Sequence, residues 1–314
     1  MKRSLAVVTA ALFVVFGLSS PAQASILYND FTDLSNIQQN GVTAVIGDPV
    51  FYNGQNVLRL TSSAFLGDAR SGSAFCKAPV ALGSDNALTT HFEFQISNPQ
   101  GATDADAVQG GQGFTFTIAT APTVLGGAGA GIGYSGINNS VTVEFDTWGG
   151  PWVGLGSQIW DPVVQPSFRG PNGIRSGNHV GINLNGNVTS EVWAHVGPSP
   201  VTDLASAMNN GNVWDAWVDY NGAIETMEVR LANNGIRPQD ALLSYAVDLS
   251  AILGQDDAYL GFTSGTQGNP LNDRAHHDIR SWEADVYPVP EPATLLLIGS
   301  GFAGLGASWR RRNG

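Results

Sequence analysis

The chain has 314 residues, 43% of them hydrophobic and 13% charged, with 39 glycines and a formal net charge of −12. That is too apolar for an intrinsically disordered protein, too poor in charge for a helical bundle or coiled coil, and too acidic to offer the basic surface that nucleic acid requires. The first feature along the chain is a leader. Lys2 and Arg3 precede an apolar run from Leu5 to Leu18, and Ala22-Gln23-Ala24 forms a small-x-small cleavage pattern. Residues 1–24 read as a secretory signal peptide, so a mature protein beginning near Ser25 is expected. Cys76 is the only cysteine, which excludes an intramolecular disulfide. Its setting, Ala74-Phe75-Cys76-Lys77, predicts a strand residue rather than a nucleophile.

Period-two alternation then recurs over residues 91–96, 114–118, 141–145 and 180–184, and predicts half-buried strands. Asn185-Gly186 and Asn221-Gly222, each flanked by strand-like sequence, predict type I′ hairpin turns, because both residue types tolerate positive φ. Only residues 203–209 and 248–253 look helical, and both stretches are short. No linker or fixed-period repeat interrupts residues 25–288, which predicts one all-β domain. Its many short strands and glycine-rich turns suit a jelly-roll sandwich of antiparallel sheets.

At the far end, Val289-Pro290-Glu291-Pro292 precedes a largely apolar stretch from Ala293 to Trp309, and Arg310 to Arg312 follow. Seventeen residues just span a bilayer, and the arginines would stay on the cytoplasmic side. The order of Pro-Glu-Pro, span and basic cluster over residues 289–314 resembles the PEP-CTERM sorting tail. The resemblance implies an exported bacterial protein, held briefly in the inner membrane, processed by an exosortase and released to the cell surface or extracellular matrix. Without its two ends the chain keeps nine basic and 25 acidic residues, a net charge of −16. A domain this acidic suits divalent cations or neutral ligands.

The chemistry-bearing segment is Val141-Thr142-Val143-Glu144-Phe145-Asp146-Thr147-Trp148. On a strand, Glu144 and Asp146 share one face, opposite the apolar Val141, Val143 and Phe145. Two such carboxylates repel each other unless a cation sits between them. Residues 179–185 form a second strand whose His179, Gly181 and Asn183 share a face, so His179 meets the carboxylates if the strands pair. Imidazole with carboxylates suits a transition ion such as Mn²⁺, and carboxylate, carbonyl and water oxygens suit Ca²⁺.

Glu144-Phe145-Asp146-Thr147-Trp148, followed by Asn178-His179-Val180-Gly181-Ile182-Asn183, resembles the metal-binding segment of the legume-type (L-type) lectins. Four further segments, beginning at Asn86, Gly113, Leu125 and Ala258, resemble that family's strands and loops in the family's order. The resemblance implies a concanavalin-like sandwich whose adjacent Mn²⁺ and Ca²⁺ ions order the sugar-binding loops. Glu144 and His179 would bind the transition ion, Asp146 would bridge both ions, and the Trp148 carbonyl would bind calcium. Asp161, in Trp160-Asp161-Pro162, would be the second bridge if residues 163–177 are an insertion. The family's calcium-binding asparagine is Gly150 here, with Asn172 a distant substitute. A homodimer through paired edge strands is also compatible with the resemblance.

For the sugar, the family's reading aspartate falls at Gln112, an amide that could read a hydroxyl pair without charge-assisted bonds. Gly127 would supply a backbone N–H, and the loop from Gly265 to Arg274 would set specificity. Trp148, Trp152 and Trp160 could stack on sugar faces. The expected function is thus metal-dependent binding of a glycan or exopolysaccharide, without catalysis. One rival is a structural matrix or adhesin protein on the same scaffold, favoured by Gln112 and Gly150. Another is a laminarinase-type glycosidase, which needs a second glutamate where this chain has Thr147, Trp148 and Gly149.

Overall fold

The computed structural model describes residues 24–43, 50–64, 67–102, 109–148, 178–197, 207–269 and 271–289. Among the described residues sixteen strands follow one another: β1 (Ala24–Tyr28), β2 (Ile37–Gly41), β3 (Val50–Tyr52), β4 (Gln55–Thr61), β5 (Arg70–Cys76), β6 (Val80–Ala81), β7 (Asn86–Gln100) and β8 (Gly113–Ala119) come first. After them come β9 (Val141–Thr147), β10 (Asn178–Leu184), β11 (Val192–His195), β12 (Val213–Asn221), β13 (Thr226–Ala232), β14 (Leu243–Ala246), β15 (Asp257–Thr266) and β16 (Arg274–Pro288). One sheet runs β14-β13-β12-β7-β16-β4-β3, with β1 beside β16. The other runs β11-β10-β9-β8-β15-β5-β2, with β6 beside β15. Every pairing is antiparallel, so the expected all-β sandwich is what forms.

The apolar positions that alternate along the strands meet between the sheets. Phe92 and Phe94 of β7 face Phe114 of β8, Phe145 of β9 and Phe262 of β15. Phe114 and Phe145 stack with centroids 4.9 Å apart. Trp282 closes the cluster edge-on to Phe262, and its indole N–H donates to Thr90. Buried aromatics of this size supply much of the core's apolar area, and truncating one costs about 3–5 kcal/mol. Cys76 is such a core residue, on β5 and buried, which pushes its thiol up to about 12.

Several expectations are corrected. Strands β8 and β9 are buried on both faces rather than half-buried, and β10 nearly so. Their outer threonines bond to one another under the glycine-rich loop after β8, with Thr115 bonded to Thr117 and Thr263. Asn185-Gly186 does turn with φ of 55° and 69°, closed by Asn187 N–H to the Leu184 carbonyl. Asn221-Gly222 does not make a two-residue turn. Asn221 pairs with Thr226, four residues lie between them, and the positive φ falls on Glu225. Gly222 serves close approach instead, since a Cβ there would meet the Gly83 and Asn86 carbonyl oxygens.

The helix expected at 248–253 forms as α1 (Leu249–Leu253), capped by Asp248, whose carboxylate accepts the Ala251 N–H. The helix expected at 203–209 lies mostly outside the described residues, and its described end is a turn. No helix among the described residues is long and apolar enough to cross a membrane, and the tail from residue 290 lies outside them.

Candidate functional site

Register builds the site. One transverse row of the second sheet reads Ser71, Gly265, Gly113, Asp146, His179 and His195 across β5, β15, β8, β9, β10 and β11. Two expected cation residues, Asp146 and His179, and the start of the expected sugar loop, Gly265, therefore share one line across four strands. Glu144 lies two residues along β9 from Asp146, opposite Thr115 on one side and Gly181 on the other.

Glu144 and His179 are each 1% exposed, and Glu144 Oε1 lies 3.3 Å from His179 Nε2. The same oxygen accepts from Ser190 Oγ at 2.7 Å, and Oε2 accepts from the Tyr134 hydroxyl at 2.6 Å. Asn183 donates to the Tyr134 oxygen, and its Oδ1 lies 3.0 Å from Ser190 Oγ, completing a polar ring over the strand. Gly181 leaves room for it, because a Cβ there would collide with Ser190 Oγ and approach Glu144 Oε1 to 2.8 Å. A glycine inside a strand, between two polar residues on its own face, is the sequence signal for such close approach. Tyr134 and Ser190, which sequence reasoning missed, are the donors that use it.

Asp146 is 5% exposed and accepts the Trp148 N–H at 2.7 Å, which holds the strand end in an Asx turn. Trp148 is 2% exposed, so it is a packed residue and offers no face to a sugar. Asp161, Asn172, Trp152 and Trp160 lie outside the described residues. His195 faces His179 in register, and burial followed by the charge of His179 pushes its imidazole down.

The expected ions can be tested against these side chains. Two ligands on one ion at about 2.2 Å sit roughly 3 Å apart, so the separation of Glu144 from His179 suits a shared ion. No group of three His, Cys, Asp or Glu side chains among the described residues is close enough to hold one. The described residues thus offer two ligands to one ion, with Asp146 next to them on the same face.

On the sugar side, Gln112 is 2% exposed with φ of 81°, and its carbonyl accepts from Thr147 N–H at 3.4 Å. Asn209 donates to the carbonyls of Gln109 and Gly110 and fixes the loop's approach. Gly127 does not have the free N–H expected of it, which donates instead to the Ser135 carbonyl at 3.0 Å. Gly265 is not part of a variable loop. It sits inside β15 as a floor, where a Cβ would lie 3.0 Å from both Gly129 O and Ile132 Cα. The loop proper is residues 267–273, and its Gln267 side chain lies directly against Gly129.

The legume lectin domain family matches residues 23–155 and 164–294, and the PEP-CTERM protein-sorting motif matches residues 288–312. L-type lectin-domain containing receptor kinase IV.3 of Arabidopsis thaliana is 30% identical over 279 residues, covering 82% of this chain and 36% of its own. Receptor kinase VIII.2 of the same plant is 27% identical over 72% of this chain and 28% of its own. The chain therefore spans about a third of the length of these relatives. Among solved structures, peanut lectin with a nine-residue peptide is similar with a TM-score of 0.60 at 22% identity, covering 86% of this chain and all of the other. Winged bean acidic lectin with methyl-α-D-galactose gives 0.61 at 20% identity over the same shares.

Proposed function

We propose that the chain, which belongs to the legume lectin domain family, is an exported, cation-dependent protein that binds a glycan or exopolysaccharide at the cell envelope. The observation that carries the proposal is the transverse row in which Gly113, the neighbour of Gln112, pairs with Asp146, and Asp146 pairs with His179. Whatever fixes Asp146 and His179 fixes the sugar loop through one backbone ladder. Glu144 and His179 would hold a transition ion such as Mn²⁺, with Asp146 and the Trp148 carbonyl offered to Ca²⁺ and Asp161 as the further bridge. Bound cations would supply positive charge to neutralise these carboxylates and lock the loop.

Gln112 would read the sugar hydroxyls, its amide giving one acceptor and one donor group, with residues 267–273 beside Gly129 choosing among sugars. Catalysis is not expected, because Thr147 and Trp148 stand where a retaining glycosidase needs its second carboxylate. The sorting motif at 288–312 supports export and processing by an exosortase, with residues 293–309 as the transient anchor.

The test is binding of the purified exported chain to a glycan and exopolysaccharide array in calcium plus manganese, and again in EDTA. Saturable binding lost in EDTA is expected. Absence of binding in both conditions, with cation-dependent melting retained, would leave the structural matrix reading that Gln112 favours. Release of reducing sugar would establish a hydrolase instead.

A further inference from the structure

We propose that two adjacent hydroxyls of β15, those of Thr263 and Ser264, position the two sugar-site loops, and that the hydrogen bonds running from Ser264 through Thr61 fix the tautomer of His277. The proposal rests on the carbohydrate-binding reading for its purpose and on the geometry alone for its substance.

Gln112 and Ile132 both hold a left-handed backbone. Gln112 has φ of 81° and Ile132, in the glycine-rich loop, has φ of 44°. A bulky β-branched residue with positive φ is an outlier, and such conformations persist only where the surroundings impose them. Ser264 Oγ donates to the carbonyl of Gly113, the residue after Gln112, at 2.8 Å. Thr263 Oγ1 donates to the carbonyl of Ile132 itself, also at 2.8 Å. Because successive strand side chains point to opposite faces, a single dipeptide reaches both loops. Thr263 and Ser264 are 0% exposed, Ile132 1% and Gln112 2%, so solvent offers no substitute donor.

The direction of each chain of bonds follows from its end. A carbonyl only accepts, so the Ser264 proton is committed to Gly113. Thr61 Oγ1, 2.9 Å from Ser264 Oγ, must then donate to it. Having used its one proton, Thr61 must accept from His277 Nδ1 at 2.7 Å. His277 is therefore the Nδ1–H tautomer, with a bare Nε2 that has no hydrogen-bond partner among the described residues. Complete burial, with smaller contributions from His276 and Arg59, pushes His277 down to about 3, so the ring stays neutral and the chain keeps one polarity. The same logic orders the second chain. Thr263 donates to Ile132, hence Thr115 donates to Thr263 at 2.7 Å, Thr117 to Thr115 and Thr142 to Thr117. Two directed relays, one from each side of β15, thus end on the carbonyls that hold the sugar loops.

The test uses the exported chain as wild type, Ser264→Ala and Thr263→Val, in calcium plus manganese. Hydrogen exchange is measured by peptide, ¹⁵N resonances are recorded for His277, and methyl α-D-galactoside and methyl α-D-mannoside are titrated by NMR. Ser264→Ala is expected to raise exchange over residues 109–116 about fivefold, the worth of one hydrogen bond, and to leave residues 129–136 unchanged. Thr263→Val should do the reverse. His277 should show a protonated Nδ1 and a bare Nε2 in the wild type, and the opposite tautomer should appear in Ser264→Ala. Whichever glycoside the wild type binds should bind each variant about fivefold more weakly. A wild-type His277 with its proton on Nε2, or both loops loosening equally in either variant, overturns the proposal. Binding of neither glycoside to the wild type counts against the carbohydrate reading only, and exchange and the His277 tautomer then decide the positioning claim.

Discussion

Replacing Tyr134 by Phe removes one oxygen and leaves the ring in its place among Phe75, Ala119, Ile132 and Ile137. That oxygen donates to Glu144 Oε2 at 2.6 Å, between groups that are 0% and 1% exposed. Water cannot take its place, so the variant loses a charge-assisted hydrogen bond worth about 1.5–3 kcal/mol. Asn183, which donates to the same oxygen, keeps a second acceptor in the Asn187 carbonyl at 3.2 Å, so its share of the loss is small. The expected cost is about 2–3 kcal/mol in EDTA, or roughly 5–10 °C in Tm for a domain of this size. Calorimetry in EDTA and in calcium plus manganese checks it. The loss should shrink with cations, which on the proposed reading would give Glu144 a positive neighbour by another route. A change under about 0.5 kcal/mol in EDTA would refute the reasoning, because it would mean that the carboxylate is solvated.

Calcium plus manganese should stabilise the wild type by about 2.7 kcal/mol at a hundredfold excess over Kd, and Asp146→Ala should abolish the accompanying rise in Tm; an undiminished rise in the variant would count against the site. Gln112→Asp should strengthen binding of the array's best glycan about tenfold by adding a charge-assisted bond, read by calorimetric titration, and weaker binding would contradict its role as reader. Cys76, buried with its thiol pushed up to about 12, should react with a thiol reagent only as fast as the chain unfolds, and rapid labelling of the native protein would contradict the core placement. For His277 the folded ring is pushed down to about 3, while the unfolded ring binds a proton below about 6.5, so folding stability falls as pH falls through that window. Between pH 7.5 and 4.5 the loss should be about 3 kcal/mol larger in the wild type than in His277→Asn, measured by denaturant unfolding, and equal losses would sink the assignment.

Much of this arrangement was legible in the residues. The alternating Val, Phe and Ile positions of β7 to β10 named the strands, and the shared face of Glu144 and Asp146 followed from period two alone. His179 met them because the register of β9 and β10 puts it beside Asp146. What escaped sequence reasoning depends on the third dimension. Burial of both faces of β8 and β9 comes from a loop laid across them, which no periodicity encodes. The Asn221-Gly222 pair looked like a turn from its φ tolerance, yet glycine is there because two carbonyls approach it. Gly265 belongs to β15 rather than the loop because the ladder in which it pairs with Ser71 runs on to Thr266 and Arg70. Tyr134 and Ser190 reach Glu144 from loops 10 and 46 residues away in sequence, a distance across which composition gives no signal.

The most direct measurement is a crystal structure of the exported chain grown with manganese, calcium and the glycan that binds best on the array. A cation on Glu144 and His179 is expected, with a sugar ring within hydrogen-bond distance of the Gln112 side chain, beside residues 267–273. A sugar bound away from Gln112, or Glu144 and His179 paired only with each other while the sugar is in place, would contradict that expectation.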